Sequence, residues 1–118
     1  MAAGVVHIPW YATGFRGDTL EEALAKIAPV ALRYGASDYR VYRSREDRYR
    51  FLQTATFERK LDWERYWEGH EFTDFRVNHQ GHFQVPVLYS WNDLVIGGGV
   101  EQPPERVAAE TFGDAQAG

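Results

Sequence analysis

The stretch DWERYWEGHEFTDFRVNH, residues 62–79, places two Trp, one Tyr, two Phe and two His within eighteen positions. Together these side chains suit one kind of chemistry. A histidine of near-neutral pKa accepts a proton at physiological pH, aromatic rings wall a flat apolar compound, and an arginine balances the anion that deprotonation leaves. His79 and His70 are the candidate catalytic bases. Arg76 is the candidate anion partner, and Trp63, Tyr66, Trp67 and Phe72 are the candidate ligand-binding walls. His7 joins them from the far end of the chain: strand alternation groups it with Val5 and Tyr11, facing either a cavity or a subunit seam.

Each residue also has a plainer role. Stripes at i, i+3 and i+4 are how any helix docks, so Trp63 and Tyr66 read first as core. His70, beside a glycine, reads as a surface or hydrogen-bonding residue, and Arg76 as a partner of Glu71 or Asp74. His79 and His82 have H-x-x-H spacing, but Gly81 between them signals that the helix has ended and no third ligand follows, so no metal site is expected. IGGG at 96–99 lacks the Lys-Ser/Thr of a phosphate loop.

The elements must position these groups. Trp63, Tyr66, Trp67 and His70 form one helical stripe, while Phe72, Phe75 and His79 form a second on roughly the opposite face. One straight helix cannot bury both, so the spacing predicts a break near Gly69. Upstream, VVHIPWYATGF reads as a strand in which Pro9 implies an edge or a bulge. TLEEALAKIAPVALRYG reads as a helix capped by Thr19 and Glu22, interrupted at Pro29 and stopped by Gly35. DYRVYRS and YRFLQTATFE alternate around REDR as a hairpin, and QVPVLYSW reads as the last strand. The order β-α-β-β-α-β is the ferredoxin-like, α+β arrangement, an antiparallel sheet with both helices on one face. Apolar residues on both sides of the sheet, Val6/Ile8/Trp10 against Val5/His7/Tyr11, imply that a second copy covers the other face.

With 118 residues, 44% of them hydrophobic, one domain over 1–98 is expected, followed by a Gly/Pro-rich tail over 99–118 that docks, if anywhere, on the partner subunit. Seventeen acidic residues against thirteen basic give a net charge of −4. The arginines of RVYRSREDRYR are interrupted by Glu46 and Asp47, so no phosphate-neutralising stripe forms and nucleic acid is not an expected partner. No segment has the ~20 apolar residues of a membrane span. The absence of cysteine and of a leader pattern agrees with a cytoplasmic protein.

The element order, the FERKLDWERYWEGHEFTDF entry into the second helix and the closing VPVLYSW together resemble the antibiotic-biosynthesis-monooxygenase-like domains of the dimeric α+β barrel superfamily, over about residues 4 to 96. That resemblance implies a homodimer of paired ferredoxin-like sheets, with a ligand cavity between sheet and helices. Some members of the family oxidise polycyclic phenols with O₂ and neither metal nor flavin, and others degrade haem. The implied function is a small-molecule, cofactor-independent monooxygenase acting on or binding an aromatic compound. The alternatives are a non-catalytic ligand- or haem-binding dimer and a structural protein whose cavity is filled by its own side chains. The haem-degrading pattern needs an Asn on the first strand, which this chain lacks; Trp67 or Trp63 would stand for its tryptophan and His79 for its axial ligand.

Overall fold

The structure, a computed structural model, describes residues 3–100. The tail expected over 99–118 therefore lies almost wholly outside the described residues. The fold is α+β and ferredoxin-like. Four strands, β1 (Gly4–Tyr11), β2 (Ala36–Arg43), β3 (Arg50–Phe57) and β4 (Ser90–Asp93), form one antiparallel sheet in the order β2-β3-β1-β4. Helices α1 (Gly17–Ile27), α2 (Lys60–Glu68) and α3 (His70–Asn78) cover one face of it.

Alternation decides which side chains meet the helices. Val6, Ile8, Trp10 and Ala12 of the first strand and its exit, with Phe51, Gln53, Ala55 and Phe57 of β3, are buried beneath Leu20, Leu24, Ile27, Trp63, Tyr66, Phe72 and Phe75. Their alternates form the other face: Val5, His7, Pro9 and Tyr11 alongside Leu52, Thr54 and Thr56, all at least partly exposed.

Two parts of the first helical region follow the sequence. The α-helix stops at Ile27, and Ala28–Tyr34 continues as a 3-10 helix with Pro29 in its first turn, where no N–H is needed. Gly35 then adopts φ 103°, a left-handed stop that only glycine takes without strain. The helix start is different. It begins at Gly17, two residues before Thr19, and the N-cap Arg16 makes no side-chain capping bond. The expected Thr19/Glu22 box is absent because a turn, Arg16 N–H to the Thr13 carbonyl at 3.0 Å, already launches the helix, and Thr19 lies inside its first turn.

Two strand expectations also need correction. QVPVLYSW is not the last strand; only its final two residues, with Asn92 and Asp93, pair with β1. Pro86 has no N–H to give to a ladder, and the segment instead ties down the far end of β1, with Gln84 N–H donating to the Tyr11 carbonyl at 2.8 Å and Phe83 bridging Ala12. Nor is β1 an edge strand, since it sits between β3 and β4. Pro9 is tolerated for a local reason. Ala3, Val5 and Tyr11 aim their carbonyls toward the β4 side. Pro9 shares their direction, and β4 ends at Ser90, opposite His7, so the missing N–H falls where no strand lies.

The broken helix is as the two stripes require. Gly69 (φ −66°, ψ 161°) leaves helical geometry between α2 and α3 and redirects the chain. That backbone conformation is open to any residue, so the reason for glycine is room: a Cβ there would lie 2.5 Å from the Tyr34 hydroxyl and 2.9 Å from the Arg65 carbonyl.

Candidate functional site

The bend at Gly69 turns both stripes onto the sheet, and the aromatic rings fill the corner. Trp63 is 1% exposed, and Tyr66 and Phe72 are 0% exposed. Tyr66 and Phe72 lie 4.7 Å apart between centroids, Trp67 and Phe72 4.8 Å, Trp63 and Trp67 5.4 Å, and Trp10 rises from β1 into edge contact with Phe75 and Phe83. Trp63, Tyr66 and Phe72 are therefore core side chains.

One polar thread crosses this interior. Trp10 Nε1–H donates to Gln53 Oε1 (3.0 Å), Gln53 Nε2–H donates to the Tyr66 hydroxyl (3.0 Å), and that hydroxyl donates to the Ile27 carbonyl (2.6 Å). Burial pushes the Tyr66 phenol well above its ordinary pKa, which keeps it a neutral donor. Sequence reasoning passed over Gln53. Its signal was present, because alternation through FLQTATF places it between Phe51 and Ala55 on the inward face.

The corner opens at one end. Trp67 is half-buried, and the Arg76 guanidinium lies over its ring at 4.1 Å, with Phe72 at 5.3 Å. Arg76 Nη2 donates to the Trp67 carbonyl at 2.9 Å, while Nη1 is buried with no acceptor among the described residues. Burial lowers the Arg76 pKa, so its charge is held at a cost. It forms no ion pair with Glu71 or Asp74. Tyr89, which the sequence did not single out, closes the wall at 5.2 Å from Trp67 and 5.0 Å from Trp63.

His79 follows Arg76 by one helical turn, on the same side of α3. It is half-buried, its ring 5.1 Å from Phe75, and its Nδ1 is 3.4 Å from Nδ1 of His82. Burial, then the charges of His82 and Lys26, lower its pKa, which favours the neutral, proton-accepting form.

His70 and His7 are elsewhere. The His70 side chain is 81% exposed, its Nδ1 3.6 Å from a Glu71 oxygen on the outer surface. Glu71 itself accepts from the Tyr34 hydroxyl (2.6 Å) and Arg33 (2.8 Å), which depress its pKa to about 2. His7 is exposed on the opposite face of the sheet, between Thr54 and Ser90. The structure thus groups Trp67, Arg76 and Tyr89 at one end of the corner, sets His79 beside His82 and Phe75 at the end of α3, and leaves His70 and His7 apart from both.

Two concavities lie away from the corner. One of about 330 Å³ is bounded by Pro9, Tyr42, Arg50, Phe51 and Leu52 at the hairpin end of the open sheet face. The other, of about 300 Å³, lies among Phe15, Asp18, Arg43, Arg48 and Tyr49. A haem needs a slab-shaped slot between sheet and helices. That space holds Trp10, Trp63, Tyr66 and Phe72, so the residues present do not fit it. Among the described residues, no three His, Asp or Glu side chains converge on a common point, and no helix is long and apolar enough to cross a membrane.

No protein-family model matches the sequence, and no curated protein matches it. Solved structures do share the fold. A Nitrosomonas europaea protein provisionally named an antibiotic biosynthesis monooxygenase superposes with a TM-score of 0.74 at 14% identity, over 83% of this chain and 95% of the other. The Pseudomonas aeruginosa protein PA3566 gives 0.73 at 15% identity, over 81% and 97%. A Bordetella bronchiseptica protein with the same provisional name as the first gives 0.71 at 16% identity, over 81% and 100%. The chain has the antibiotic-biosynthesis-monooxygenase-like α+β fold.

Proposed function

We propose that this chain is an oxygenase-like protein that binds an acidic aromatic compound, such as a polycyclic phenol, at the open end of the aromatic corner, and that it works as a cytoplasmic homodimer joined through the open sheet faces. The observation that carries the reading is Arg76. A guanidinium held over the Trp67 ring, with one buried nitrogen lacking an acceptor among the described residues, is matched by a ligand that stacks on the indole and brings an anionic oxygen. His79, one turn away, is the base that removes the phenolic proton, and Trp67 and Tyr89 are the walls. The electron-rich anion then reacts with O₂, one oxygen atom entering the ring as a carbonyl and the other leaving as water with the two displaced hydrogens. Neither metal nor flavin is required in this scheme.

The fold supports this reading only at the level of a monooxygenase-like scaffold, since function resides in sites rather than folds. A second reading, a non-catalytic or purely structural dimer, is favoured by the filled interior around Trp63, Tyr66 and Phe72. A thermal-shift screen of polycyclic phenols, followed by oxygen-uptake assays of those that bind, separates the two. The oxygenase reading expects acidic phenols to raise the melting temperature more than their methyl ethers, Arg76→Met to erase that preference, and His79→Gln to retain binding but lose oxygen uptake. If no phenol stabilises the protein, the filled-interior reading stands instead.

A further inference from the structure

The turn that ends α3 holds two imidazoles in a fixed relation. His82 N–H donates to the His79 carbonyl (2.9 Å), Thr13 N–H to the His82 carbonyl (3.1 Å), and the Thr13 hydroxyl to the Gly81 carbonyl (2.7 Å). Gly81, at φ 90°, makes this reversal possible. The helix ends at Asn78, before both histidines, so the turn rather than the helix brings their rings together. Their centroids are 5.5 Å apart and inclined at 51°, and their Nδ1 atoms face each other at 3.4 Å.

That separation has a chemical meaning. Zinc–imidazole bonds of about 2.0–2.1 Å at the tetrahedral angle place two ligand nitrogens roughly 3.35 Å apart. Without an ion, a hydrogen bond across this gap requires one ring to carry its proton on Nδ1 and the other to offer its Nδ1 lone pair. With an ion between them, both Nδ1 lone pairs point inward and both protons move to Nε2.

We propose that His79 and His82 form a two-imidazole chelate for a borderline divalent transition ion such as zinc, with water in the remaining coordination positions. Imidazole selects this class over magnesium or calcium, which prefer oxygen donors. Both rings are half-buried and the turn is anchored to the end of β1, so little ordering is needed on binding. The Lys26 ammonium acts electrostatically on His79 and opposes a cation there, so micromolar rather than nanomolar affinity is expected. The chelate would occupy His79, the proposed base, so bound metal and base catalysis exclude one another; the ring geometry at the turn holds whether or not the chain is an oxygenase.

The test is titration of the untagged, metal-free chain with zinc by calorimetry and with cobalt(II) by visible absorption. One ion per chain with a saturable change in the cobalt d–d absorption is expected, lost in both His79→Gln and His82→Gln and unchanged in His70→Gln. Absence of saturable binding, or binding that survives His82→Gln, overturns the proposal. Because the readout is metal binding in the absence of substrate, its failure is distinct from failure of the oxygenase reading.

Discussion

Gln53 is the polar side chain sealed in the core, and it satisfies partners on two elements at once, Trp10 and Tyr66. Replacing it with leucine keeps its approximate shape but leaves the Trp10 N–H with no acceptor, so a loss of about 1–3 kcal/mol is expected. The check is the urea midpoint at unchanged m-value; a shift worth under ~0.5 kcal/mol would mean that the thread contributes little. Glu71 makes a pH-dependent contribution. Its pKa is depressed from 4.5 to about 2, first by the Tyr34 hydroxyl and then by Arg33. A depressed carboxylate stabilises the fold above its unfolded value and loses that contribution as pH falls toward its folded value. Stability should therefore decline between pH 4.5 and about 2, and Glu71→Gln should flatten the profile in that window. At this scale the sequence named the residue types well but could not assign contacts. Arg76 was grouped with its acidic neighbours, whereas the fold places it on Trp67 from nine positions away.

The bend at Gly69 was legible because two incompatible stripes in one segment admit few other solutions. Gly69→Ala tests why glycine is there. Lower unfolded-state entropy would favour alanine by about 0.4–1 kcal/mol, but its Cβ would meet the Tyr34 hydroxyl and the Arg65 carbonyl. Overpacking of that kind costs roughly 1–3 kcal/mol, so net destabilisation is expected, measured as a lower melting temperature. The start of α1 and the last strand were not legible, for a shared reason. Thr13, whose carbonyl starts the turn into α1, is itself held by a tertiary hydrogen bond to His82, and the segment before β4 by one from Gln84 to Tyr11; both cross-link chain regions far apart in sequence. Local patterns of capping and alternation do not contain them.

For the molecule as a whole, the open sheet face carries the proposed dimer contact. Tyr42, 52% exposed, and the half-buried Leu52 and Val5 lie on the side of the sheet away from the helices. A stable obligate contact there should bury more than roughly 2,000 Å² in total. Sedimentation velocity at micromolar concentration is expected to show a dimer, and Tyr42→Asp or Leu52→Asp a folded monomer. A wild-type monomer would remove the assembly from the proposal. The ferredoxin-like fold was legible because the order of elements is a property of the entire chain, robust to the misplacement of any one strand boundary.

Pro9 has a consequence for how these molecules avoid one another. Beyond His7, the flank of β1 is uncovered by β4, and a bare sheet flank is a template on which further strands can stack into fibrils. At the centre of that gap the ring nitrogen of Pro9 offers no hydrogen, and the next residue aimed the same way, Tyr11, already has its carbonyl engaged by Gln84. An incoming strand would find a broken ladder, so this proline acts as a guard against aggregation placed where β1 runs past the end of β4.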